Sequence, residues 1–385
     1  MNTPDFREIA HSGGRVTLSK TRNDQGQIGL NLRFEHARPN PASIVALYAI
    51  QPGIPVGTCR SYGIGVAEFP PLPNAFVTIL SSDSESRFGR FCDACNHYWR
   101  DGGAFVDSQL FCPYCAARGQ IHEFLTQAQR NYLQHYASCV SEALQADVGV
   151  SVVIDLDAIA DTIHNETERP RFYYAEESQQ NRFTCRACDS FNDVIGNVAY
   201  CSCCGSRNDN DLVRARVNSI RADLERGVDP ATCLRSLVSV FDSAAKHLID
   251  ELVRRIPLRP RVRASLVNRT YHQLSATVEA TKKAFDIDLL DALNEEQQRL
   301  CVRMFLRRHV HEHKGGIVDN EYIEKSGDAS VKLRQALVED RASLLQLSEV
   351  VVRMVANLVR GFHDIFPPDA AAIARRRRGK PPQAQ

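Results

Sequence analysis

Several things are missing from this chain, and each absence narrows what it is. No unbroken apolar run approaches the roughly twenty residues that span a bilayer, so no membrane partner is expected. The start, MNTPDFREIAHSGG, has no apolar core of the kind an export signal carries, which points to a cytoplasmic protein. Net charge is nearly absent, at +1. That balance hides a split. Residues 1–211 hold 17 Lys and Arg against 24 Asp and Glu, whereas residues 212–385 hold 30 against 22. The second part is therefore the expected surface for a polyanion such as RNA. At 385 residues the chain is too long for one ordinary core, so two or three domains are expected.

Cysteine, by contrast, is plentiful, at thirteen residues. Eight of them form four C-x-x-C pairs: Cys92 and Cys95, Cys112 and Cys115, Cys185 and Cys188, Cys201 and Cys204. Two thiolates three residues apart on a tight knuckle can face one ion, and a second knuckle completes the tetrahedron that Zn²⁺ accepts. A single pair would leave redox chemistry or disulfides open. Two complete pairs of pairs without an export signal point to two structural zinc sites. Cys203 is an alternative ligand to Cys204. Cys204 is preferred because it keeps the knuckle spacing and is followed by Gly205, a residue free to turn. Four-cysteine sites have no open coordination position, so these are folding staples and not catalytic zinc. Cys59, Cys139, Cys233 and Cys301 read as small buried apolar residues.

The expected fold is multidomain α+β, with a β-rich N-terminal part carrying two zinc ribbons and an all-α antiparallel helical bundle behind it. Residues 1–85 alternate short β-type runs (RVTLSK, GQIGLNLRF, SIVALYAI, GIGVAEF, AFVTIL) with Gly and Pro turns, which predicts a small β-rich domain. Ribbon one covers 86–120, with HYWRDGG as the hairpin turn between its knuckles. An α/β connecting region covers 121–180, and ribbon two 181–211. No repeat is found apart from the two ribbons, which differ in spacing, and neither carries a run of basic residues interleaved with aromatics. After Asn210 almost everything to Phe366 has helical periodicity, and the bundle is expected over 228–366. A first helix spans about 230–256 with Leu234, Leu237, Val238, Phe241, Ala245, Leu248, Leu252 and Ile256 on one stripe, and Pro257 and Pro260 break it. A second runs from about 262 to 284. Asn294 and Gln297 form a capping box for a third, which stops at Gly315–Gly316. DNEYIEKSG reads as a loop, and a final helix covers about 331–364. Short links between amphipathic helices argue for an antiparallel bundle. Residues 367–385, with RRRRGKPPQAQ, read as a disordered basic tail.

Within the third helix the stretch Phe305–Gly316, FLRRHVHEHKGG, packs three histidines between cations. His309 and His313 share a face, but Val310 stands where an H-E-x-x-H zinc site needs Glu, so a protease-type metal site is disfavoured. A plain reading is an exposed last turn whose cations suit the helix dipole. A chemical reading is acid–base work on RNA, which carries its own nucleophile in the 2′-OH. Imidazoles move protons near neutral pH and a guanidinium grips phosphate oxygens, with no metal required. Arg308 and His313 diverge by about 140° on a continuous helix, so their convergence depends on a turn near Gly315–Gly316.

This segment resembles the HEPN superfamily, whose ribonucleases carry Arg, four to six residues, then His, often with a polar residue directly after the Arg. Arg308, His309 and His313 fit as R-H-x-x-x-H, and GGIVDNEYI looks like the stretch that follows in many members. The resemblance covers only the helical region. It implies a metal-independent RNA endonuclease that leaves 2′,3′-cyclic phosphate ends and acts as a homodimer with facing motifs. By that resemblance His313 transfers protons, Arg308 steadies the phosphorane, and His309 orients them or assists. Arg307 and His311 fall outside the motif and read as RNA-contacting or merely exposed, and Lys314 reads as RNA-contacting. The implied setting is bacterial toxin action or antiviral defence, with the zinc ribbons as a regulatory or targeting part that answers to a protein activator or inhibitor. The rival expectation is a non-catalytic zinc-ribbon module that binds nucleic acid or protein and is dimerised by an inactive bundle.

Overall fold

The computed structural model describes residues 7–8, 14–36, 44–51, 54–57, 76–81, 87–102, 109–162, 174–175, 179–267 and 269–378. GIGVAEF and Cys59 lie outside them. The chain divides into two compact units, Met1–Ser206 with Asp369–Gln385, and Arg207–Pro368.

The first unit begins with β1 (Arg7–Glu8), β2 (Gly14–Arg22), β3 (Ile28–His36), β4 (Ile44–Gln51), β5 (Ile54–Gly57) and β6 (Phe76–Ser81). Strands β7 (Phe88–Cys92), β8 (His97–Asp101), β9 (Leu110–Phe111) and β10 (Arg118–Gly119) carry the first two cysteine pairs. Then come α1 (Gln127–Ala143), β11 (Ser151–Asp155), α2 (Leu156–Thr162), β12 (Tyr174–Ala175), β13 (Asn181–Thr184) and β14 (Phe191–Val194). Strands β4, β5 and β6 form a sheet of their own in the order β5-β4-β6, but β1 and the β2-β3 pair recruit later strands. β2 is flanked by β3 and β11, and β1 pairs with β12. The stretch read as a connector thus completes the first sheet. Residues Val16 and Leu18 alternate inward along β2 opposite Ile154 and Val152. They bury against the face of α1 formed by Tyr132, Tyr136 and Val140, which are spaced one turn apart.

The two ribbons are also not separate modules. One four-stranded sheet, β13-β14-β8-β7, contains strands from both, with Asn192 opposite Asp101 and Asp193 opposite Arg100. The HYWRD segment is strand β8, and the hairpin turn is the Cys92–Cys95 knuckle itself. Two backbone bonds join the second and fourth knuckle regions, Phe111 N–H to the Ser202 carbonyl (2.8 Å) and Tyr200 N–H to the Pro113 carbonyl (2.8 Å). Arg90 and Asp101 form an ion pair at 3.2 Å with both side chains buried, beside Trp99, the largest fully buried side chain.

The second unit holds α3 (Asp209–Glu225), α4 (Pro230–Arg255), α5 (Pro260–Val267), α6 (Leu274–Phe285), α7 (Glu295–His313), α8 (Asn320–Ser326) and α9 (Arg341–Ile365). Helices α3, α4, α7 and α9 pack on one another. The helical unit starts well before 228, because α3 buries Val213, Val217 and Leu224 and its Arg221 donates to Ser348 of α9 (2.7 Å). α4 is capped by Asp229 with Pro230 in its first turn, and its predicted stripe is buried except Ile256, which is half-buried. The helix expected over 262–284 is two. Between them the His272 N–H bonds Asp242 of α4 (2.7 Å) and the Tyr271 hydroxyl bonds the Leu266 carbonyl (2.9 Å), so the backbone leaves the helical ladder there. The final helix begins ten residues later than expected. Over 331–340 the backbone bonds outward, with Arg334 N–H to the Val318 carbonyl and Leu337 N–H to that of Gly316. Asp340 then caps α9. DNEYIEKSG is helix α8, capped by Asp319 and closed by Gly327 in the left-handed region.

The basic tail is helical over α10 (Ala370–Arg378) and belongs to the first unit. Asp369 caps it, accepting from Ala372 N–H, and Ala372 is buried against the second cysteine cluster. Charge dominated the reading of this segment and hid its apolar contact. Among the described residues, α9 has the length and composition of a membrane-crossing helix, although no unbroken apolar run suggests it. Leu347, Val351, Met354, Val355 and Leu358 are fully buried within the unit, the pattern of a core helix.

Candidate functional site

Four knuckles build two sulfur cages. In each, the N–H of the residue after the second cysteine bonds the carbonyl of the first: Asn96 to Cys92, Ala116 to Cys112, Asp189 to Cys185, Gly205 to Cys201, at 2.7–2.9 Å. Each of those four residues has a positive φ, between 57° and 72°. This turn brings the two thiols of a pair to one side. Cys92 and Cys115 sulfurs stand 3.7 Å apart and those of Cys95 and Cys112 3.6 Å. In the second cage Cys185–Cys204 measure 3.7 Å and Cys188–Cys201 3.5 Å. None of the described cysteines forms a disulfide. The separations lie close to the ~3.8 Å edge of a sulfur tetrahedron at thiolate–zinc bond length. Burial pushes the Cys95 thiol up to about 12 and the Cys112 thiol higher still, whereas at Cys115 burial is outweighed by hydrogen bonds from the Ala117 backbone and the neighbouring thiols, which hold it below its ordinary value. Both sets are able to hold a metal ion, with Cys204 completing the second. Cys203 is buried outside the set, its N–H on the Cys201 sulfur at 3.4 Å. Of the cysteines read as apolar, Cys233 and Cys301 are buried and Cys139 is half-buried.

The histidine segment divides residue by residue. α7 starts on the Asn294–Gln297 capping box and stays helical to His313, so Arg308 and His313 keep their divergence and Gly315–Gly316 turn too late to cancel it. His309 and His313, one turn apart, lie exposed with ring centroids 4.7 Å apart and planes tilted by 51°. Partial burial, then the neighbouring His313, holds His309 below the ordinary imidazole value, which favours its neutral form. His309 borders a pocket of about 490 Å³ with Leu274, Phe305, Leu306 and Tyr322.

Arg308 opens instead onto a cleft of about 630 Å³ lined by Arg216, Ser219, Thr232, Arg235, Ser239 and Glu312, among others. Its Nε and Nη1 are sealed from solvent and meet no protein acceptor. Arg216 lies on α3, which was not counted in the bundle, and its signal was the Arg216/Ser219/Ile220 spacing on one helix face; Arg235 lies on the predicted first helix, beside its apolar stripe.

Arg307 and His311, expected to contact RNA, are turned inward. Arg307 lies 3.4 Å from Glu339 and 3.7 Å from Asp328, and His311 Nε2 is 2.8 Å from Glu339. Both carboxylates are buried, and Tyr322 donates to Asp328 at 2.6 Å. Burial pulls the Asp328 carboxyl up, but hydrogen bonds from Ser330 and Tyr322 together with Arg307 outweigh it and hold it below the usual carboxylate range. These two side chains anchor the end of α7 and are not free for an RNA strand. Lys314 is exposed, its amine 3.4 Å from Asp319. No protein-family model, curated protein or solved structure matches the chain.

Proposed function

We propose that the helical unit is a metal-independent RNA endonuclease of the HEPN kind, and that the first unit, with Zn²⁺ in both cages, targets or regulates it through a protein activator or inhibitor. In this reading the 2′-OH attacks the adjacent phosphorus, His309 takes its proton, and His313 protonates the departing 5′-oxygen. Arg308 steadies the phosphorane charge, and the product is a 2′,3′-cyclic phosphate. The observation that carries it is the last turns of α7, where two exposed imidazoles in contact follow an arginine that meets no protein acceptor on its Nε or Nη1. The arginine and the histidines open on different sides of α7, so the reading requires a homodimer in which one copy's arginine meets RNA held by the other's histidines. Lys314 is the remaining RNA contact. The setting that goes with it is cytoplasmic toxin action or antiviral defence.

The same divergence favours a second reading, a module that binds RNA or protein without cutting. One experiment separates them. Parent, Arg308→Ala and His313→Ala proteins are incubated briefly with tRNA and total RNA in excess EDTA. Cyclic-phosphate ends from the parent alone are expected. Cleavage that persists in both variants, or that requires Mg²⁺, defeats the enzyme. RNA retained but uncut by every form selects the binding module.

A further inference from the structure

The cleft among α3, α4 and α7 has its own chemistry, separate from the histidine face. Arg216, Ser219 and Ile220 lie at i, i+3 and i+4 of α3. Thr232, Arg235, Ser236 and Ser239 recur along one side of α4, and Arg308 and Glu312 lie one turn apart on α7. Three helices thus contribute one guanidinium each. A single lining carboxylate, Glu312, stands loosely beside Arg235 at 3.9 Å. Asp229, next to the cleft, is already engaged as the α4 cap, accepting from the Thr232 N–H and hydroxyl at 3.0 Å each. Arg235 in turn donates to the Thr232 hydroxyl at 3.0 Å, which steers its guanidinium.

We propose that this cleft binds a phosphate monoester, as found on a mononucleotide or at an RNA 5′ end. The Arg308 guanidinium borders the cleft with no protein acceptor on its Nε or Nη1, and an anion in the cleft supplies the counter-charge it lacks. Three guanidiniums against one lining carboxylate leave a surplus that matches a dianionic terminal phosphate better than the single charge of an internal diester. The hydroxyls of Ser219, Ser236 and Ser239 supply further donors to phosphate oxygens. Ile220 and Val240 give an apolar wall for the attached sugar or base. The cleft volume falls within the roughly 300–1,000 Å³ usual for small-ligand sites. The proposal shares Arg308 with the cleavage reading but does not require cleavage.

The test is direct binding to the full chain carrying His313→Ala. One pair of ligands is a short oligoribonucleotide with a 5′-phosphate and the same oligonucleotide with a 5′-hydroxyl. The other pair is AMP and adenosine. At least one phosphorylated member is expected to bind about tenfold more tightly than its unphosphorylated partner, and the pair that shows the gap names the source. Arg216→Ala with Arg235→Ala is expected to close the gap, as is Ser239→Glu, which puts a carboxylate on an exposed position of the cleft and leaves both arginines in place. Equal binding within both pairs overturns the proposal, and so does a gap that survives either variant. The cyclic-phosphate assay reads parent protein and a different product, so either idea can fail while the other stands.

Discussion

Adjacent arginines on α7 have opposite fates, and the difference is a matter of what lies opposite each. Arg307 compensates two buried carboxylates, whereas Arg308 compensates none. Removing Arg307 leaves Glu339 and Asp328 buried with one cation fewer, and Arg307→Ala is expected to cost about 3–5 kcal/mol of stability. Arg308→Ala loses only packing of an arginine stem and is expected to cost about 1 kcal/mol or less. Urea unfolding of the two variants measures the contrast. Equal losses would show that the Glu339 network does not anchor the end of α7. The same logic separates His311, bound to Glu339, from His309 and His313, which face outward.

Among elements, local signals marked the ends of helices well, but not which segments would pair. Asp319 and Gly327 bracket α8 as capping rules require, and the segment was still read as a loop because it is only seven residues long. Helix α10 is the case with the most consequence. Its Ala372 and Ile373 cover the second cage, and the Asp369 N–H bonds the Cys204 carbonyl at 2.8 Å. Truncation after Asp369 uncovers that cage. The expected result is that one of two bound metal equivalents passes to a chelator faster than in the full chain, while the other leaves at the parent rate. Chromogenic chelator kinetics read this, and unchanged release of both equivalents would mean that α10 does not protect the site.

As a whole, the molecule has two units with separate hydrophobic cores. The first core contains Cys92 and Cys112 themselves, so a metal held by that cage would be coupled to folding. The second is made by α3, α4, α7 and α9 without cysteine cages. Elemental analysis is expected to find two zinc ions per chain. Exhaustive chelation is expected to melt the first unit and leave the helices of Arg207–Pro368 folded, as read by circular dichroism with limited proteolysis. Loss of all helical signal on chelation would show that the two units fold as one.

Sequence alone determined what closes over a few residues. The C-x-x-C knuckles, the Asn294–Gln297 box, the Asp229–Pro230 start and the α4 stripe all depend on partners within a turn or two, and each is present. Tertiary structure decided everything that needs a distant partner. It joined the two ribbons into one sheet, split the helix expected over 262–284 by giving a backbone N–H to Asp242, and delayed α9 by pairing 331–340 with 316–318. It also gave Arg307 a carboxylate 32 residues away while leaving Arg308 facing a cleft. Spacing along a chain specifies rings of hydrogen bonds that are local. Burial and charge compensation are set by whichever segments meet in space, and no local pattern encodes that.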